Sequence, residues 1–157
     1  MANQQAAKSV RIWLIVGLVM VFVQVLLGGI TRLTGSGLSI TEWDVIMGAL
    51  PPMNIDQWQE VFTKYQQFGQ FKLVNSQMTL AEFKSIFFWE WFHRLWARSM
   101  GFVFILPLIY FVIKGTIAKN QILRYSVLMF LGGLAGLVGW IMVSSGLKDD
   151  MVLVNPI

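Results

Sequence analysis

The sequence contains no cysteine. Disulfides, thiolate metal sites, iron–sulfur clusters and covalently attached c-type haem all need cysteine, so the composition excludes them. Charge is also scarce: 13% of the 157 residues are Asp, Glu, Lys or Arg, whereas 56% are hydrophobic. Soluble domains carry about a quarter charged residues. The composition therefore predicts an integral membrane protein.

Acidic residues are outnumbered, with 12 Lys and Arg against 8 Asp and Glu. The basic residues form no run or stripe, so we expect no nucleic-acid partner and relate them to membrane orientation. A cleavable signal is also missing, because the first apolar run is longer than a signal h-region and lacks a small-residue cleavage site. We expect a mature, bacterial-type membrane protein that starts at Met1.

Three apolar segments predict an all-α fold with three transmembrane helices. We expect transmembrane helices at 12–31, 85–113 and 122–143, the second of which carries the candidate haem site. The N-terminus (1–11) and the loop at 114–121 are expected to be cytoplasmic. The loop at 32–84 is expected to be an outer loop, and 144–157 the start of a second outer loop.

The second segment spans the membrane only as part of a longer helix, because its clean apolar run, residues 99–113, is too short. The sequence TLAE places Thr79 three residues before Glu82, which is a capping box. We therefore predict one helix from about residue 80 to 113, with a kink at Pro107.

The predicted orientation follows the positive-inside rule. The N-terminus and the short loop carry only basic charges, while the long loop carries four basic and five acidic residues. The expected topology is multi-pass in a bacterial inner (plasma) membrane, with the N-terminus in the cytoplasm. In the outer loop, the apolar residues Trp58, Val61, Phe62 and Tyr65 have helical spacing. They predict an amphipathic helix on the membrane surface or over the bundle, capped by Asn54 or Asp56.

Ionisable residues concentrate at the outer end of helix 2, in the sequence FFWEWFHRLWARSMG. At 3.6 residues per turn, the other candidate site residues fall within roughly 80° of Glu90 on one face of the helix. They are His93, Arg94, Ala97, Arg98 and Gly101. Charged groups in a span usually face a bundle interior or a cavity. The small residues among them leave room for a flat, bulky ligand.

His93, the single histidine, is a candidate axial ligand of haem iron. Arg94 and Arg98 are suited to haem propionates, and Glu90 could orient a ligand, move a proton or stabilise a cation. Structural alternatives stay open: the arginines could snorkel to the interface, Glu90–Arg94 could be an i,i+4 ion pair, and His93 could be structural. Glycines in helices 1 and 3, Gly28–Gly29 and Gly132/Gly136, suit helix packing or cofactor contact.

Four motifs resemble the cysteine-free class of the heme A synthase family: GGITRLTGSGLSITEW, PP at 51–52, EFKSIFFWEWFHRLWARSMG and GLVGWIMVSSGL. The resemblance implies a membrane oxidoreductase that converts the C8 methyl of heme O into the formyl group of heme A for cytochrome c oxidase assembly. It implies that His93 is an axial ligand of the substrate haem and that Glu90 is catalytic. The family fold has two four-helix halves, with heme b in the C-terminal half.

With three predicted spans, the chain matches the N-terminal portion of such an enzyme, part of one four-helix half. The resemblance implies that a C-terminal half or another chain supplies the second histidine, and heme O synthase is a further expected partner beside lipid and the haem substrate. The alternatives are a non-catalytic haem-binding module for electron transfer or delivery, and a purely structural subunit.

Overall fold

The computed structural model describes residues 2–41 and 50–146, and within these ranges the chain is helical without β-strands. The helices are α1 (Ala2–Leu33), α2 (Ile55–Gln66), α3 (Gly69–Leu73), α4 (Leu80–Ile113) and α5 (Lys119–Gly146). Three of them, α1, α4 and α5, contain stretches long and apolar enough to cross a membrane. The prediction of an all-α, multi-pass membrane fold with three spanning helices is confirmed for the described part of the chain.

Several residues in the charge count lie outside the described residues. They are Glu42, Asp44, Lys148, Asp149 and Asp150. Most of the expected second outer loop lies outside them too. The sides of the membrane on which the loops lie stay predictions.

The predicted capping box starts α4. One carboxylate oxygen of Glu82, Oε2, accepts hydrogen bonds from the backbone N–H and the hydroxyl of Thr79, both at 2.8 Å. The Thr79 oxygen in turn accepts the backbone N–H of Glu82 at 3.4 Å. The helix then continues through Pro107 to Ile113. The prediction of one helix from about residue 80 to 113 is confirmed.

The C-terminal end of α1 is closed by a glycine in the left-handed region, Gly35, with φ of 63°. The N–H of Gly35 donates to the carbonyl of Arg32 at 3.3 Å, and the N–H of Ser36 donates to that of Thr31 at 2.9 Å. This pair of hydrogen bonds is the Schellman motif, in which glycine avoids the steric cost of positive φ. It turns the chain sharply out of α1 and fixes the start of the loop that follows.

The described chain divides into two compact units. The first contains residues up to Leu26 and Trp96–Val138, and its core is formed by Trp13, Leu108, Phe111 and Ile117. Two indole groups join α1 to α4 in this unit: Trp13 donates to the carbonyl of Val103 at 2.9 Å, and Trp96 to that of Met20 at 3.0 Å.

The hydrogen bond from Trp13 takes the place of a backbone hydrogen bond that Pro107 removes from α4. In an α-helix the carbonyl of Val103 would accept the N–H of residue 107, but Pro107 has none. The indole N–H of Trp13 therefore satisfies a carbonyl that the helix itself leaves without a donor. An unsatisfied carbonyl is costly in lipid, so this contact stabilises the span at its proline.

The second unit contains Leu27–Leu95 and residues from Gly139 onward. Its buried core is Tyr65, Phe83, Ile86 and Phe87, with Trp58, Val61 and Phe62 packed against it. The apolar face predicted for α2 therefore packs on α4. Asn54 rather than Asp56 is the cap, because its side-chain oxygen accepts the N–H of Gln57 at 2.9 Å.

The middle of α5 is exposed, from Leu131 to Val138. A Cβ added at Gly132 or Gly136 would meet no atom within 4 Å among the described residues. The packing role suggested for these glycines stays a prediction.

Candidate functional site

Glu90 lies in the second unit and is almost completely buried, with 2% of its surface exposed. Its Oε2 atom accepts the hydroxyl of Ser39 at 2.6 Å and the backbone N–H of Ile40 at 2.7 Å. Its Oε1 atom accepts a hydrogen bond from Arg94. Three donors, one of them a guanidinium, compensate the loss of hydration that burial imposes on a carboxylate.

The loop after α1 brings two of these donors to Glu90. After the Schellman turn at Gly35, the N–H of Ser39 donates to the carbonyl of Ser36 at 3.0 Å, which makes a second tight turn. Ser36 and Ser39 are both fully buried. The side chain of Gln70, in α3, donates to the carbonyl of Gly35 at 2.9 Å and holds the loop from outside. The sequence GSGLSI thus folds into a compact support for one carboxylate.

Arg94 is the i,i+4 partner of Glu90, and its side chain is 12% exposed. The same terminal nitrogen, Nη2, donates to Glu90 and lies 3.3 Å from the carbonyl of Ile40. Ile40 therefore binds Glu90 through its N–H and Arg94 through its carbonyl. The i,i+4 ion pair between Glu90 and Arg94, one of the structural alternatives raised from the sequence, is present. A contact between Arg94 and a haem propionate stays a prediction.

His93 lies one residue before Arg94 and is half-buried. Its Nε2 atom stands 3.6 Å from the position that a Cβ on Gly28 would occupy. Gly28 therefore lies against the imidazole at the end of α1. Nε2 is one of the two ring nitrogens through which a neutral histidine can ligate a metal.

The other three predicted site residues, Ala97, Arg98 and Gly101, belong to the first compact unit on the continuing helix α4. Ala97 is exposed, and Arg98 and Gly101 are half-buried. Nothing in the structure tests their contact with a cofactor, so that part of the site stays a prediction. In the described ranges, no group of three or more His, Cys, Asp or Glu side chains is placed to hold a metal ion.

Sequence reasoning does not predict the contact of Ser39 with Glu90 or the polar contact of Tyr65. Ser39 contacts Glu90 across 51 positions of sequence, and a lone serine in a turn carries no pattern that predicts such a contact. Tyr65 lies on the predicted apolar face of α2, and its hydroxyl also accepts a hydrogen bond from Asn75 at 2.8 Å. The pKa of Tyr65 is raised by burial, which outweighs the opposing effect of the Asn75 bond, and the charge of Glu90 raises it further.

Comparison with known proteins decides the family. A family model described as COX15-CtaA, cytochrome oxidase assembly protein, matches residues 11–157. The chain belongs to this family. Its resemblance to heme A synthase is confirmed by curated relatives.

The heme A synthase of Caulobacter vibrioides is 54% identical over 143 residues, which are 91% of this chain and 42% of that protein. That of Agrobacterium fabrum is 53% identical over 147 residues, 94% of this chain and 40% of that protein. That of Rhodospirillum centenum is 49% identical over 144 residues, 92% of this chain and 38% of that protein. The chain thus spans about two fifths of the length of these relatives. No solved structure matches it.

Proposed function

We propose that this chain carries the heme O site of a heme A synthase, which oxidises the C8 methyl of heme O to the formyl group of heme A for cytochrome c oxidase assembly. The carrying observation is the buried carboxylate of Glu90, held by Ser39, Ile40 and Arg94 one turn of α4 before His93. The relatives are named as synthases, which favours an enzyme over a non-catalytic haem-binding module.

The residues around His93 fit a haem. The imidazole is half-buried, and its Nε2 atom lies 3.6 Å from the position that a Cβ on Gly28 of α1 would occupy. His93 would ligate the iron, and Arg98 and Arg94 would approach the propionates. When bound, the haem supplies the redox chemistry, while the protein supplies ligation, orientation and electrostatics.

Glu90 would act mainly through its charge. Removing electrons from a methyl carbon develops positive charge there, and a fixed carboxylate stabilises such charge. Oε2 already accepts two hydrogen bonds, whereas Oε1 accepts one within the described residues. A carboxylate oxygen has two acceptor sites, so Oε1 is the atom available to face the substrate or take a proton.

The overall reaction needs an acceptor beyond this site. Converting a methyl into a formyl group removes four electrons and four protons and adds the oxygen of one water. We assign the acceptor role to heme b in the C-terminal half of the complete enzyme, and the second histidine for the substrate haem to that half or another chain. Heme O synthase would deliver the substrate within the lipid bilayer. The proposed location is a bacterial inner membrane, with the basic N-terminus in the cytoplasm.

The test is heme A formation in cells whose only heme A synthase is the complete enzyme carrying Glu90→Ala. We expect heme O to accumulate and heme A to be lost in chromatograms of extracted haems. Glu90→Gln should fail as well, because it keeps the shape but removes the charge. Glu82→Gln is the matched control, since Glu82 is exposed on the same helix. Normal heme A formation in Glu90→Ala would contradict the proposal.

A further inference from the structure

The contact between Gly28 and His93 is directional. A Cβ built on Gly28 would lie 3.6 Å from Nε2. Among the described residues, apart from the two chain neighbours and the helix's own nearby backbone, no other heavy atom would lie within 4 Å of it. The two ring carbons bonded to Nε2 are therefore farther from that position than Nε2 itself. A methyl group there would stand on the outward side of the nitrogen, the side to which its lone pair or its proton projects.

The neighbouring glycine provides a contrast. Gly29 follows in the same helix, but a Cβ on Gly29 would meet no atom within 4 Å in the part of the chain that the structure describes. Neither glycine has positive φ, so neither is required by the backbone conformation. Alanine at either position would raise helix propensity by about 1 kcal/mol. The two positions therefore differ in the atoms that an added side chain would contact. They do not differ in backbone conformation or in the effect of alanine on helix propensity.

We propose that Gly28 is a specificity-determining residue of the His93 site: by lacking a side chain, it lets a flat ligand approach Nε2. The inference deepens the proposed function and rests on it for the identity of that ligand as a haem. Iron–imidazole bonds are about 2 Å long, judging from other metal–histidine bonds. An alanine methyl at van der Waals distance from Nε2 would stand in the layer that the macrocycle must enter.

The first experiment measures access to His93 without any haem. Diethyl pyrocarbonate acylates imidazole nitrogen, and His93 is the single histidine, so its ultraviolet signal reports one site. In the full chain purified in detergent, we expect Gly28→Ala to slow acylation severalfold relative to Gly29→Ala. Equal rates in the two variants would overturn the role of Gly28.

The second experiment titrates iron protoporphyrin IX into the same proteins and follows the Soret band. We expect the Kd to rise about tenfold or more in Gly28→Ala, the size of effect that one extra methyl produces in a packed contact. Gly29→Ala should bind like the unsubstituted chain, and unchanged binding in Gly28→Ala would count against the inference.

The proposed function and the Gly28 inference fail in different ways. If His93→Ala binds the porphyrin as well as the unsubstituted chain does, His93 is not the ligand and the proposed function fails, while the acylation rates still decide whether Gly28 controls access. A measurement on the unsubstituted chain covers the case in which Gly28→Ala does not fold. Solid-state NMR should detect a close contact between 15N-histidine and a glycine 13Cα, and its absence would overturn the geometry.

Discussion

Ser39 and Glu90 are joined by a 2.6 Å hydrogen bond between a fully buried hydroxyl and a carboxylate that is 2% exposed. The bond links the loop after α1 to the helix α4. Since the backbone N–H of Ile40 reaches the same oxygen, the loop and the carboxylate fix one another. The position of Glu90 therefore depends on loop residues as well as on its own helix.

Ser39→Ala should destabilise the protein. It removes a donor from a buried carboxylate, a change that costs roughly 1.5–3 kcal/mol. Thermal unfolding in detergent checks this, with Ser76→Ala as the control because Ser76 is an exposed loop serine. A Ser39→Ala protein as stable as the Ser76→Ala protein would show that the hydroxyl does not hold Glu90.

Trp13→Phe should destabilise the core of the first unit, because the carbonyl of Val103 loses its indole donor opposite Pro107. The expected loss is about 1–3 kcal/mol, part of it from the smaller ring. Pro107→Ala restores an N–H at position 107, which can bond the Val103 carbonyl within the helix. In a double-mutant cycle, Trp13→Phe should therefore cost less in the Pro107→Ala background. An equal cost in both backgrounds would mean that the indole does not serve this carbonyl.

Tyr65 should titrate above its ordinary pKa of 10.0, chiefly because it is buried. A raised pKa in the folded state favours the protonated form there. Its contribution to stability is therefore complete below the unfolded pKa and is lost as pH rises through the folded pKa. Tyrosinate absorbance during an alkaline titration should show one late-titrating tyrosine among the three, and Tyr65→Phe should remove it. Loss of a different titration step in Tyr65→Phe would contradict the assignment.

The local elements of this fold are predictable from sequence because their signals are local. The Thr79–Glu82 capping box sets the start of α4, and Asn54 caps the amphipathic helix α2. The helix α1 begins at Ala2, ahead of the predicted span 12–31, because helix formation depends on backbone hydrogen bonds and continues beyond the apolar run. The short helix α3 was missed, since its N-cap, Phe68, makes no side-chain capping bond.

The candidate site was predictable only along α4. Helical spacing places Glu90, His93 and Arg94 near one another, and this follows from the sequence alone. The contacts from Ser39 to Glu90 and from Gly28 to His93 join segments far apart in the chain. They depend on how α1 and the loop after it pack on α4, which no periodic pattern encodes.

The central claim is that His93 ligates the iron of a bound haem. Because His93 is the single histidine, growth with 15N-histidine labels one imidazole in the full chain. Pulsed electron paramagnetic resonance of the chain loaded with ferric protoporphyrin IX should then show 15N coupling to the iron, which is lost in His93→Ala. Bound porphyrin whose iron shows no 15N coupling in the labelled, unsubstituted chain would contradict the account.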